Sequence, residues 1–246
     1  MVKIIFSDFD ETMLNYCGGK NDFNDYQLNI LKKIKSKGIR FCIVTGRNVD
    51  FFYQFSNILP YVDYIISSNG SCIFDLSNSE FIYTKYIGEQ EVVNLFDYIH
   101  EHKMDMFYNS LGKQIYNEEV VNLKTCEQII LSFNDSCLED VLRDIRNIPY
   151  VSYNNICRHG DRYTIDVNDS SVSKGNAIKY LCDYLDIDTE DTVGFGDSDN
   201  DVSMFSVVGK SISVSNGTDK IRTLANKVIL SSEEMGVFKY IDENIL

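Results

Sequence analysis

The stretch "FSDFDET", residues 6–12, crowds three carboxylates into four positions, at Asp8, Asp10 and Glu11, directly after the apolar "VKII". Like charges at that spacing repel. A second acidic run, Gly196-Asp197-Ser198-Asp199-Asn200-Asp201, lies near the other end of the chain. Between them stand three further polar groups, Thr45-Gly46-Arg47, Ser68-Asn69-Gly70 and Lys174-Gly175. A solvated loop is the ordinary home of an acidic triplet. The chemical alternative is a shared cation, and an all-oxygen set of this kind suits Mg²⁺. An EF-hand is excluded: Asp197, Asp199 and Asp201 imitate its first positions, but Val202 replaces the required Gly and Val208 the closing Glu. His100, His102 and His159 share no ligand spacing, and the seven scattered cysteines form no C-x-x-C pair, so zinc is not expected.

Those groups must be positioned by something. "VKIIFS", "IRFCIV" and "VDYIIS" read as buried strands, separated by helices over "NDYQLNILKKIKSKG" and "VDFFYQFSNIL", the second ended by Pro60. Short connections between alternating strands and helices imply an α/β doubly wound parallel sheet. The rhythm resumes after residue 168 with a helix over "KGNAIKYLCDYL", strands at "TVGF", "SISV" and "KVIL", and a closing segment "EEMGVFKYIDENI". From 84 to 168 the pattern changes to helices among strands such as "DMFYN", "QIILSF" and "DRYTIDV", as in a smaller inserted α+β domain. The expected division is therefore 1–83 with 169–246 for the core and 84–168 for the insert. In such a sheet ligands bind beyond the carboxyl ends of the strands. The polar anomalies fall at four of those ends and one helix start. Lys174 is out of place as an ordinary residue, because a helix N-terminus disfavours cations. Arg47 is expected at the surface or a subunit contact, Asp199 at a helix start, and Phe51, Phe52 and Phe55 in the core.

The 246 residues carry a net charge of −14, with 44% hydrophobic and 24% charged residues. That balance describes an ordinary globular chain and argues against nucleic acid, whose phosphates demand a basic face. No apolar run of 18 or more residues suggests a membrane span, and no leader pattern opens the sequence. Cytoplasmic location and reduced structural thiols are the expectation.

Taken together the motifs resemble the haloacid dehalogenase superfamily of phosphohydrolases. "DFDET" is similar to its D-x-D-x-T signature, "TGR" to its strand-2 Thr, "SKG" to its Lys and "GDSDND" to its G-D-x-x-N-D motif. The insert between the second and third motifs resembles an α/β cap of type II, the subgroup of Cof phosphatases of sugar phosphates and related metabolites. Glu11 departs from the pattern, standing where the family commonly has Gly. The resemblance implies Asp8 as nucleophile, Asp10 as general acid and base, and Mg²⁺ held by Asp8, the Asp10 backbone carbonyl and Asp197. Thr45, Gly46, Lys174 and Asn200 would bind the phosphoryl group. Asp201 would orient Lys174 or a water on the metal from one layer further out.

The implied partner is a small phosphorylated metabolite, sugar phosphate by default, with pyridoxal phosphate and nucleotides open. The assembly is expected to be a monomer or homodimer. A phosphomutase of the same superfamily is the nearest alternative. A phospho-accepting switch module is a more distant one, since receivers are about half this length and lack a cap. In the cap, "CRHGDRYTIDV" clusters Arg158, His159 and Arg162 around the polar turn Gly160-Asp161. Either this is a solvated hairpin turn, or Arg158 and Arg162 face the core and meet the substrate's non-transferred end.

Overall fold

The structure is a computed structural model that describes residues 1–14, 23–116 and 123–246. Cys17 lies outside these residues. Strand β1 (Ile4–Ser7) leads through α1 (Asp25–Ser36) to β2 (Arg40–Val44) and then β3 (Tyr64–Ser67). Helix α1 forms where expected. Asn24 caps it in a reciprocal box with Gln27, and Ile30, Leu31 and Ile34 bury one face.

The expected helix over 49–59 is instead two 3₁₀ turns, Asp50–Phe55 and Leu59–Tyr61. The reason is packing. Residues three apart eclipse in a 3₁₀ turn, which aligns Phe52 and Phe55 against the Phe9 ring at centroid distances of 4.9 and 5.1 Å. Pro60 enters at the start of the second turn.

After β3 the chain adds an antiparallel edge that the sequence reading lacks, β4 (Cys72–Asp75) and β5 (Glu80–Thr84). Their turn is stabilised by Asp75, whose Oδ1 accepts from the Ser77 and Asn78 amides.

Helix α2 (Glu89–His102), strands β6 (Asp105–Ser110), β7 (Lys113–Tyr116) and β8 (Cys126–Asn134), helix α3 (Leu138–Arg146), and strands β9 (Val151–His159) and β10 (Arg162–Asp169) come next. The strands form a separate antiparallel sheet in the order β7-β6-β8-β10-β9. The chain then returns through α4 (Lys174–Leu185), β11 (Thr192–Gly196), α5 (Val202–Phe205), β12 (Lys210–Val214), α6 (Asp219–Leu224), β13 (Lys227–Ile229) and α7 (Gly236–Asn244). The main sheet runs β13-β12-β11-β1-β2-β3-β4-β5, parallel from β13 to β3. This is a doubly wound α/β core carrying a smaller α+β cap.

Alternation along the central strands sorts the core into two layers. Ile5, Phe41, Ile43 and Ile65 pack with α1, α7 and the phenylalanine cluster. Ile4, Phe6, Cys42, Val44 and Ile66 pack with α4, α5 and α6. In the cap sheet, Ile129, Leu131, Ile165 and Val167 bury one face under α2 and α3. That leaves the opposite, polar face for the core. No helix among the described residues is long and apolar enough to cross a membrane.

Candidate active site

Strands β1 and β11 are parallel neighbours, with Ser7 opposite Phe195, so the residues just beyond both ends emerge together. The Asp8 amide donates to the Phe195 carbonyl at 2.9 Å, which fixes the direction of the D-x-D segment. Lys174 opens α4, fully buried, and its Nζ donates to Asp8 Oδ1 and Asp201 Oδ1, both at 2.6 Å. The misplaced cation of the sequence thus has two carboxylate partners.

Asp201 Oδ2 accepts from the backbone amides of Asp197 and Ser198 at 2.9 and 3.1 Å. Gly196 makes room for this carboxylate, since a Cβ there would lie 2.6 Å from Asp201 Cγ. Both Asp201 oxygens are therefore engaged by the protein. Asp197 is held by Thr12, whose hydroxyl donates at 2.7 Å.

Asp8, Asp197 and Asp201 bring carboxylate oxygens within 4.8 Å of one another. Burial pushes the Asp8 carboxyl well up, against the pull of Lys174. Burial, then the Asp201 charge, pushes Asp197 up to about 7. Burial by itself would lower Lys174, but Asp201 and Asp8 hold it above its usual value, so it stays an ammonium. Buried oxygen donors short of positive charge are a fitting set for a hard divalent cation. With Asp201 occupied, Asp8 and Asp197 are the carboxylates left to hold one.

A cavity of about 420 Å³ opens between this cluster and the cap, lined on the core side by Asp8, Asp10, Gly46, Arg47, Asp197 and Asn200. Thr45 is buried and is not among the lining residues; its Oγ1 accepts from the amide of Arg47, which is, at 3.1 Å. The Asn200 side chain is oriented at both ends: Ser198 Oγ donates to its Oδ1 at 2.7 Å, and its Nδ2 donates to Asn69 Oδ1 at 3.1 Å.

Arg47 is exposed, as expected, and its guanidinium donates to both Asp10 oxygens at 3.0 and 3.1 Å, with its carbon 4.6 Å from the Phe51 ring centre. Two assignments of the sequence reading change, both in the cap. Arg158 does not reach the cavity. Strand alternation sends Cys157 and His159 to the cavity side and turns Arg158 toward Asp135 and the Tyr163 ring. Arg162, at the far start of β10, pairs with Asp105 at 2.6 Å and also donates to Ser132, away from the cavity lining.

The sequence reading noted Asn69 at a strand end and Thr12 within "DFDET" without giving either a role, and it missed Gln128 and Asp166. Asn69 sits in a turn where Ser68, Asn69 and Gly70 take φ of 49°, 58° and 108°. From there its Nδ2 donates to Asp166 Oδ2 at 2.9 Å and to Gln128 Oε1 at 3.3 Å, so one amide joins the cap to Asn200. Asn168 donates to the Ser68 carbonyl and Ser71 Oγ, both at 3.0 Å. The available signal was the alternation of polar Thr164, Asp166 and Asn168 with apolar Tyr163, Ile165 and Val167.

With this geometry in place, a family model described as haloacid dehalogenase-like hydrolase matches residues 5–129 and 109–241. The chain belongs to the haloacid dehalogenase-like hydrolases. This hydrolase is 26% identical to the putative phosphatase YxeH of Bacillus subtilis (strain 168), across 100% of its own length and 99% of the relative's. It is 24% identical to the 5-amino-6-(5-phospho-D-ribitylamino)uracil phosphatase YcsE of the same organism, over 100% and 96% of the two chains. Its fold superposes on the subclass IIB sugar phosphatase BT4131 with a TM-score of 0.81, at 18% identity over 98% of each chain.

Proposed function

We propose that this hydrolase is a Mg²⁺-dependent phosphatase of a small phosphorylated metabolite, a sugar phosphate foremost, acting through an aspartyl-phosphate on Asp8. The observation that carries the reading is the buried Lys174 contact to Asp8 at 2.6 Å, at the strand end that opens into the cavity. The phosphatase names of its relatives and the sugar phosphatase among its fold neighbours support the same reading.

An Asp8 oxygen attacks phosphorus while the bond to the leaving oxygen breaks, and Asp10 gives that oxygen its proton. Asp10, now ionised, takes a proton from water as the water attacks the same phosphorus. The Asp8–phosphorus bond then breaks, releasing inorganic phosphate and restoring both carboxyl groups. Lys174 places a fixed charge beside Asp8, while the Thr45 hydroxyl, the Gly46 backbone and the Asn200 amide face the equatorial oxygens. Arg47 orients the Asp10 carboxylate. Asp8, Asp197 and the Asp10 carbonyl would hold Mg²⁺, whose charge would offset their repulsion and draw the phosphoryl group in.

The test is phosphate release from a panel of phosphorylated metabolites, with Mg²⁺ and with chelator. Asp8→Asn keeps the shape and removes the nucleophile, so turnover is expected to fall by several orders of magnitude in a folded protein. More than a tenth of the wild-type rate surviving in that variant would sink the assignment. A sugar monophosphate that isomerises with no net phosphate release would replace the phosphatase by a mutase.

A further inference from the structure

The cavity has two chemically different ends. At the Asp8 end stand Lys174 and the groups that would receive a phosphoryl dianion. The cap end is built from one face of the five-stranded sheet, where Phe107, Gln128, Ile130, Asn155, Thr164 and Asp166 line the space. No lysine or arginine of the cap lines it among the described residues. The imidazole of His159, at the exposed end of β9, is the cap group there that can turn cationic.

Arg47 is the core cation in the lining, and its guanidinium already grips Asp10 with two hydrogen bonds. Asp166 is only 8% exposed. Its Oδ2 accepts from Asn69 at 2.9 Å and sits against the Gly46 backbone, where an added Cβ would lie 3.2 Å away. Asn155 is its other amide partner. A carboxylate has about four acceptor positions, so these neighbours leave Asp166 able to accept more. Burial pushes it up to about 6, below neutral pH, so it remains largely ionised where the enzyme would work.

We propose that Asp166 is a specificity-determining residue that accepts hydrogen bonds from a neutral, hydroxyl- or amine-bearing leaving group and rejects substrates with a second anionic group at that end. The physical basis is asymmetric. A hydroxyl or amine donates to the fixed carboxylate and to Gln128, Asn155 and Thr164. A carboxylate or second phosphate meets a like charge in a partly desolvated space, with no lysine or arginine of the cap in the lining to answer it among the described residues. This inference rests on the phosphatase reading and narrows its substrate class to monophosphates of neutral or amino polyols.

The test compares matched pairs by kcat/KM: glycerol 3-phosphate against 3-phosphoglycerate, and fructose 6-phosphate against fructose 1,6-bisphosphate, with p-nitrophenyl phosphate as a minimal ester. Wild type is expected to prefer the first of each pair by about 100-fold, and Asp166→Asn to narrow that preference at least about tenfold. Thr164→Lys places a cation on the same wall at a half-exposed position, and is expected to narrow the preference. It serves as the independent variant should Asp166→Asn fail to fold by circular dichroism. Equal hydrolysis of each pair by wild type, or unchanged ratios in the folded variants, would overturn the proposal. Absence of hydrolysis of every ester, p-nitrophenyl phosphate included, would strike the phosphatase reading itself and this inference with it.

Discussion

Lys174 holds Asp8 and Asp201 together at 2.6 Å from each, with Lys174 and Asp201 wholly buried and Asp8 only slightly exposed at the cavity. Removing one partner of a buried ion set leaves uncompensated charge, a loss of about 3–5 kcal/mol. Lys174→Ala is accordingly expected to lower both stability and rate, the rate by about 10²- to 10³-fold through lost charge stabilisation. Calorimetry should show Mg²⁺ restoring part of the lost Tm in this variant, because a cation relieves the same repulsion. A variant as stable as wild type in chelator would mean that the ion set is not under that strain. At this scale much of the site was legible. Asp8, Asp10, Lys174 and Asp197 announce themselves as charges at strand ends and at a helix start, where no folding reason requires them. Asp166 does not, because a lone acid in a cap strand looks like any solvent-facing residue until the partner surface is known. Arg158 and Arg162 misled for the same cause: proximity in sequence says nothing of which face of a strand a side chain takes.

Among the connecting segments, the turn after β1 carries a local conflict. Glu11 has φ of 57°, the left-handed region that glycine adopts without penalty. Its amide donates to the Leu14 carbonyl at 2.8 Å and its own carbonyl accepts from Asn216, so the turn is imposed by its surroundings. Glu11→Gly is expected to stabilise the protein by about 1 kcal/mol, a rise of about 2–4 °C in Tm. Thermal melts would check it, and a fall in Tm would show that the Glu11 side chain contributes more than its backbone costs. Most elements were legible from periodicity, α1 and the central strands above all. The segment 49–59 was not, because its apolar spacing fits a helix and only the Phe9 ring across the core selects 3₁₀ turns. The β4–β5 edge escaped notice because no α-helix separates these strands from β3 or from each other, so the strand–helix alternation that marks the parallel strands is absent there.

Across the whole molecule, cap and core meet through polar groups that are almost wholly buried, including Ser68, Asn69, Glu127, Gln128 and Asn168. Burial raises both carboxyls of this seam, Glu127 and Asp166, the latter from an ordinary 3.8 to about 6. A raised carboxyl favours the folded state below its unfolded pKa and loses that contribution as pH climbs through the folded value. The wild type should therefore lose stability relative to Asp166→Asn between about pH 4 and pH 7, by at most about 3 kcal/mol. Urea melts of both proteins across that range test the sign, and parallel curves would contradict it. That seam was the least legible feature, since it depends on two sheets distant in sequence. The central claim is the bond between Asp8 and phosphorus. Asp10→Asn, which retards the water step, is mixed with substrate and Mg²⁺, reduced with borohydride and digested for mass spectrometry. Reduction of an aspartyl-phosphate yields homoserine, so the account predicts homoserine at position 8, dependent on substrate. Substrate consumed with position 8 still aspartate, or homoserine at another carboxylate, would contradict it.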